Sequence, residues 1–188
     1  MKIENTEIAF LERSKKEAGL SYGTLETPNI IDKLGSAPAG SGHDNYLKGI
    51  MVAVTVTASQ VWWLQWSRYH YHDIVSSTSK MHSILAGHYT YHPATDPVII
   101  KQFEEQIADA KILLKAEGTL KRSITESLAL TCPMGLELTA GIRTNYLQLK
   151  TVYSQRVGHI LSEWGEYCDW IEELPEFVYL TQKDELSK

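Results

Sequence analysis

Three stretches of this 188-residue chain hold side chains able to do chemistry together. The first is His43-Asp44-Asn45, which follows a Gly/Ser-rich run over residues 35–42. The second runs from Gln65 through Arg68, Tyr69, His70 and His72 to Ser76, Ser77, Thr78, Ser79 and Lys80. The third carries Asn145, Gln148, Gln155, Arg156 and His159. In the second stretch, a helix ending in Arg68 and His70 would bring cations beside a polar run of hydroxyls and free backbone N–H groups. Lys80 adds a compact charge. Such donors suit a phosphate, above all where Thr78 or Ser79 opens a helix whose dipole favours an anion. The same residues also make an ordinary solvated loop with a Ser/Thr cap. In the third stretch Asn145, Gln148, Leu149, Val152 and Arg156 share one helical face and can line a pocket for a planar, polar ring. An amphipathic helix with surface amides reads the same way.

The other chemistry-bearing residues point less far. Five of the seven histidines lie between His70 and His92. His70 and His72 share a face in a strand, and His88 and His92 share one in a helix, but Pro93 breaks that helix and no Cys joins the set. A metal site needs three or four convergent ligands, so no metal is expected. Cys132 and Cys168 have no paired spacing and read as small buried residues. No dinucleotide fingerprint or P-loop is present.

Composition bounds these readings. The chain is 43% hydrophobic, enough for a core and too much for a disordered segment, and its length suits one domain over residues 1–188. Two cysteines exclude a disulfide scaffold. No apolar run approaches the ~20 residues that span a bilayer, and Met1-Lys2-Ile3-Glu4 does not begin a signal peptide, so a cytoplasmic protein without a membrane partner is expected. The net charge is −5, yet residues 163–188 carry eight acids against two bases. The remainder is close to neutral, which gives no support to binding a nucleic-acid polymer but leaves room for a local anion site. The acidic end reads as solvated.

The positioning elements follow from pattern. Residues 4–17 favour helix, with Ile8 and Leu11 on one face. Residues 29–34 suit a short helix, and the Gly-rich run after them is a loop that delivers His43 and Asp44. Residues 50–57, rich in Val and Thr, read as a strand buried on both faces. Ser59 can cap a helix over 60–69, whose Trp62, Trp63 and Trp66 cover a wide arc and predict burial in the domain or between subunits. Residues 73–79 read as a polar loop, followed by a helix through Met81 and Leu85, and residues 89–94 as irregular or extended chain. Asp96-Pro97 is a helix start; Ile99 or Ile100, Phe103, Ile107 and Leu114 form the stripe, and Gly118 the stop. A helix over 120–130 ends at Cys132-Pro133. Leu136, Leu138 and Ala140 alternate as a short strand. Thr144 is placed as the cap of a helix through Gln155, and Ser162 as the cap of another through Glu173. Few strands among many helices give an α+β fold.

Taken in order, these stretches resemble the flavin-dependent thymidylate synthase family over residues 40–173. Gly42-His43-Asp44, the strand over 50–57 and the helix over 60–70 resemble that family's Gly-His-Glu element, strand and helix. Its Arg-His-Arg signature, with the Ser, Glu, Ser and Arg that follow, falls on residues 68–81. Cys132-Pro133-Met134-Gly135 resembles its Leu-Pro turn, and Asn145, Leu149 and Arg156 match its Asn…Leu…Arg spacing. The departures are specific. Tyr69 and His70 stand for the second and third signature residues, Ser76 for the Glu and Lys80 for the Arg, while a second phosphate-binding Arg falls on Ala129.

The resemblance implies a small sheet with packed helices, assembled as a homotetramer, and FAD contacts from His43, Arg68 and Asn145. Tyr69 and His70 take the altered flavin positions, and His159 lies one residue from a flavin-contacting His. It places Gln65, Ser76, Thr78, Ser79, Lys80 and Arg156 against a pyrimidine deoxynucleoside monophosphate. Thr78 and Lys80 are then at the phosphate and Arg156 is the catalytic residue reading the ring. Methylenetetrahydrofolate is then the carbon donor and NADPH the reductant, with dUMP, dCMP or a modified pyrimidine as substrate of a divergent, phage-type member. The altered signature also fits a non-catalytic relative that binds a nucleotide or serves as an oligomeric interaction module.

Overall fold

The sheet is organised by one strand in which Val52, Val54, Val56 and Ala58 point to the core while Ala53, Thr55 and Thr57 point away. The computed structural model describes residues 1–116 and 121–182. Along them run β1 (Lys2–Ala9), α1 (Leu11–Glu17), α2 (Ile31–Gly35), β2 (Met51–Ser59), α3 (Gln60–Trp66), β3 (Asp73–Ser77) and α4 (Lys80–Ala86). There follow α5 (Pro97–Ala116), α6 (Lys121–Thr131), β4 (Glu137–Asn145), α7 (Tyr146–Arg156), α8 (Ser162–Glu172) and α9 (Phe177–Thr181). The stop placed at Gly118 and the helix start at Leu120 lie outside the described residues.

The strands form one antiparallel sheet in the order β1-β2-β4-β3. In the central pair, Val52, Val54, Val56 and Ala58 stand opposite Thr144, Ile142, Ala140 and Leu138, so the alternation of both strands builds one apolar face. The opposite face is half-covered and polar, with the hydroxyls of Thr57 and Thr139 2.7 Å apart across the ladder. The strand expected to be buried on both faces is therefore buried on one. Its short side chains alternate rather than run apolar.

Two strands were not legible in pattern. The helix expected over residues 4–17 is an edge strand as far as Ala9 and a helix only from Leu11. The ladder to β2 decides the matter against local propensity. Residues 73–77, expected as loop, form the other edge strand, exposed throughout and bulged between Ile74 and Ser76. Both are edges, where one-sided contact leaves little alternation to read.

The main core collects β2, β4 and helices α3, α7, α8 and α9 around Trp62, Trp66, Tyr146, Leu149, Trp164 and Phe177. The acidic end, expected to be solvated, supplies Trp164, Tyr167, Ile171, Leu174 and Phe177 to this core, while most of its described acids, with Val178 and Tyr179, face outward. Glu163 is the exception: it is completely buried and accepts hydrogen bonds from Ser59 N (2.7 Å) and Ser59 Oγ. A smaller core joins α4, α5 and α6 through Ile84, Phe103, Ile107 and Leu128. Of the expected stripe, Phe103 and Ile107 lie in this core, joined by Ala110, while Ile100 and Leu114 are half-buried and Ile99 is exposed. Val98 N donates to Asp96 Oδ1 (2.8 Å), so the Asp-Pro start holds. Ser59 likewise caps α3 by accepting from Trp62 N (3.2 Å). The other two caps move: Asn145, not Thr144, caps α7, and Ser162 lies inside α8, whose preceding residue Leu161 caps with no side chain.

Candidate functional site

Helix α3 is the organising element, because three different faces of it do three different things. Trp62 and Trp66, one turn apart, stack at 5.2 Å and are sealed by Trp164 and Tyr167, so these two rings of the aromatic arc are buried within the chain while Trp63 is half-buried. Ring packing here outweighs polar satisfaction. The indole N–H groups of both residues and the Tyr167 hydroxyl find no hydrogen-bond partner among the described residues. Burial holds that hydroxyl protonated well beyond the ordinary tyrosine range.

On a second face, Gln65 meets the end of α7. Arg156 Nε donates to Tyr69 Oη (2.7 Å), and Arg156 Nη1 donates to Gln65 Oε1 (3.3 Å). Trp164 Nε1 donates to the same oxygen (2.8 Å). The guanidinium lies 4.6 Å from the Trp164 ring centroid and 5.5 Å from that of Tyr69, a cation held against two aromatic faces. No carboxylate pairs with Arg156 among the described residues. His159 joins from the turn after α7, its ring 6.4 Å from Trp164 and its Nδ1 accepting from Leu161 N (3.1 Å). Gln65, Tyr69, Arg156 and His159 are thus brought together, around a residue that sequence reasoning missed. Trp164 carried no signal beyond being an aromatic on an amphipathic helix.

The third face of α3, with Gln60, Trp63, Leu64 and Ser67, roofs a cleft of about 480 Å³ floored by Ile74, Leu138 and Ala140. This is the end of the apolar sheet face that α3 leaves uncovered, and its volume is in the range of ligand pockets. Gln65 points about 140° away from this roof, at about 100° per residue of helix. The cleft and the Arg156 node therefore lie on different sides of α3.

Lys80 stands at the cleft, where its Nζ donates to Gln60 Oε1 (3.0 Å) and to Ala129 O near the end of α6 (3.0 Å). Gln60 Nε2 in turn donates to Pro133 O (2.8 Å), tying the Cys132-Pro133 turn to α3. Cys132 is half-buried rather than buried, its thiol near Ala129 O (3.3 Å). Thr78 is also engaged: its hydroxyl donates to Thr139 O (3.2 Å) and accepts from Thr139 N (3.3 Å), extending the β3–β4 pairing. Ser76 and Ser79 are exposed, and Ser79 opens α4 without a side-chain cap bond.

The remaining candidates are dispersed. Arg68 and His70 are exposed on the turn after α3, beside Tyr71 at φ 48°, and the His72 ring packs 5.0 Å from Trp66. Among the described residues no three His, Cys, Asp or Glu side chains converge as a metal site needs. Asn145 has its Oδ1 turned to Gln148 N (2.9 Å) as the α7 cap, so that atom is spent. His43 is exposed on a separate cleft of about 350 Å³, lined also by Tyr22, Leu34 and Tyr46. Its loop is fastened by Lys150, whose Nζ reaches Gly35 O (2.7 Å), Ala37 O (2.6 Å) and the buried Asp44 Oδ2 (2.7 Å). Gly35 permits the close approach of α9 to this loop, since a Cβ there would lie 2.0 Å from Leu180 O. Helix α7 therefore holds the loop from its middle, through Lys150, and carries Arg156 at its C-terminal end.

No protein-family model matches the chain, and no curated protein matches it. Solved structures do. The flavin-dependent thymidylate synthase ThyX of Helicobacter pylori, in complex with FAD and dUMP, superposes with a TM-score of 0.73 at 12% identity, over 97% of this chain and 98% of that one. A second structure of the same enzyme with FAD and dUMP gives 0.72 at 11% identity, with the same coverage. At that identity the likeness is one of architecture: this chain is built on the fold of a flavin-dependent thymidylate synthase.

Proposed function

We propose that this protein is a flavin-dependent enzyme of pyrimidine deoxynucleotide C5-methylation or hydroxymethylation, acting on a dUMP- or dCMP-type monophosphate. The observation that carries the reading is the node of Gln65, Tyr69, Arg156 and Trp164. It is a half-buried guanidinium, stacked on an indole and without a carboxylate, on a fold whose solved neighbour binds dUMP. Of the five N–H donors of an arginine, two are used among the described residues, which leaves others for the carbonyl oxygens of a pyrimidine ring. Developing negative charge on that ring would be met by a cation already fixed in direction, which is how a preorganised site lowers a barrier.

FAD fits the residues in part. Arg68, a cation, and His70, a ring N–H donor, are both exposed and suit its diphosphate, and the apolar cleft beside Trp63 and Leu64 suits a planar ring. His43 and Asn145 do not share that cleft, and a homotetramer with sites shared between copies would bring them to it. A bound flavin would supply hydride transfer, with NADPH as its reductant and methylenetetrahydrofolate as carbon donor. The side chains of the chain would bind, orient and exclude water. The chain acts as one domain in this reading.

The purified protein is tested by visible absorption for bound or bindable FAD, then by transfer of labelled carbon from methylenetetrahydrofolate to dUMP or dCMP. Flavin binding with labelled product supports the reading. No flavin binding, with either nucleotide present, overturns it.

A second reading has its own observation. Lys80 and Thr78 are engaged by protein oxygens, and Ser76 offers no carboxylate, so fewer groups are free to orient a bound nucleotide for reaction. A nucleotide-binding relative without catalysis fits that arrangement, and label in the nucleotide product eliminates it.

A further inference from the structure

We propose that Trp164 is a positioning residue that fixes which end of the Gln65 amide meets the base, making the node a donor-presenting reader of the pyrimidine edge. The inference rests on the nucleotide reading of that node. Gln65 Oε1 receives two hydrogen bonds, from Trp164 Nε1 at 2.8 Å and from Arg156 Nη1 at 3.3 Å. An indole N–H and a guanidinium N–H can only donate. Flipping the amide would set its NH2 group against both, losing two bonds and opposing like dipoles. The oxygen is thus turned inward and the NH2 outward, and that NH2 has no hydrogen bond among the described residues.

The indole itself cannot drift. Trp164 is fully buried, 5.0 Å from Trp62 and 6.1 Å from Tyr69, with Arg156 over its ring. Its neighbour Glu163 fastens the first turn of α8 to Ser59 at the start of α3. One helix contact therefore sets the distance between α8 and α3, and the next sets the polarity of Gln65. The groups left facing out are N–H donors of Arg156, the NH2 of Gln65 and the Tyr69 hydroxyl, whose oxygen already accepts from Arg156. A ring with a carbonyl at this edge is met by donors. A ring with an exocyclic amine there sets N–H against N–H and leaves both unpaired.

The test titrates wild type, W164F and Q65E with dUMP and with dCMP by calorimetry, beside a ligand-free 1H–15N spectrum of the indole groups of wild type and Q65M. W164F keeps a ring under Arg156 and removes the N–H. Wild type is expected to prefer dUMP, and W164F to bring the two affinities closer by about tenfold, the equivalent of one hydrogen bond. Q65E presents an acceptor in place of the outward NH2 and is expected to shift the preference toward dCMP. The Trp164 indole resonance is expected to move in Q65M. A preference for dCMP in wild type, or a ratio unchanged in both variants, overturns the reader. If W164F does not fold, Q65E decides by itself. An unmoved indole resonance overturns the lock without reference to any ligand. Failure of wild type to bind either nucleotide instead strikes the nucleotide reading, and takes the reader with it.

Discussion

Arg156 and Lys80 enter the sequence as the same kind of signal, a cation set among hydrogen-bonding side chains, yet their surroundings give them different uses. Arg156 is stacked on Trp164 and spends two donors on side chains, one of which, Gln65, is itself held in place. Lys80 spends two of an ammonium's three donors on Gln60 Oε1 and on a carbonyl near the end of α6. One is a rigid fork with an open edge, and the other is a structural tie between α3, α4 and α6. The acceptors around a cation decide whether its charge remains available to a ligand.

The strongest way to break this contrast is to remove the support of the node. Trp62→Ala should cost about 3–5 kcal/mol of stability in denaturant unfolding, because the cavity lies under α3 where four other rings converge on Trp62. A cost below about 1 kcal/mol would mean that the aromatic stack does not hold Gln65 in place.

Next comes the fork itself. Arg156→Ala should weaken pyrimidine nucleotide binding by about 1.5–3 kcal/mol in a direct titration. Unchanged affinity for every such nucleotide would remove Arg156 from the site.

The matching variant on the other side is Lys80→Met, which keeps the stem and deletes the ammonium. We expect a loss of about 1 kcal/mol in unfolding free energy, for two carbonyl contacts partly replaced by water, and a smaller loss of nucleotide affinity than in Arg156→Ala. Equal or greater loss of affinity would show that Lys80 turns from its tie to the ligand, and the contrast would fail.

The smallest effect sharpens the role of the buried acidic end. Burial, then the neighbouring Asp169 and Glu172 carboxylates, push the Cys168 thiol up from 9.0 to about 11. The folded state then favours the protonated thiol. This contribution to stability is complete below about pH 9 and is lost as the pH rises through about 11. Cys168 should react slowly with a thiol reagent at pH 8, and Cys168→Ala should flatten the fall in melting temperature above pH 9. Rapid labelling at pH 8 would place Cys168 nearer solvent than its 3% exposure allows.

Legibility follows the same division between local and distant causes. The Ser59 cap, the Asp96-Pro97 start, the Phe103–Ile107 stripe and the loop before His43 were readable because each depends on a few neighbouring residues. The edge strands β1 and β3 were not, since an edge is defined by its partner and shows no clear alternation of its own. Glu163 read as a surface acid and is fully buried, because its partner Ser59 lies 104 residues away in the chain.

For the site, residue types and spacing singled out the stretches that hold Gln65, Arg156 and His159, and the resemblance to the flavin-dependent thymidylate synthases added Tyr69 and a fold whose likeness in space extends over 97% of the chain. Spacing carries that information because a helix repeats its faces and a cap needs a particular side chain. Only the tertiary structure decided that Arg156 stays open while Lys80 is spent, that α3 parts the node from the apolar cleft, and that Trp164 orients Gln65. Whether a donor is free depends on which acceptors the fold brings to it, and those acceptors come from segments about a hundred residues away or on another helix.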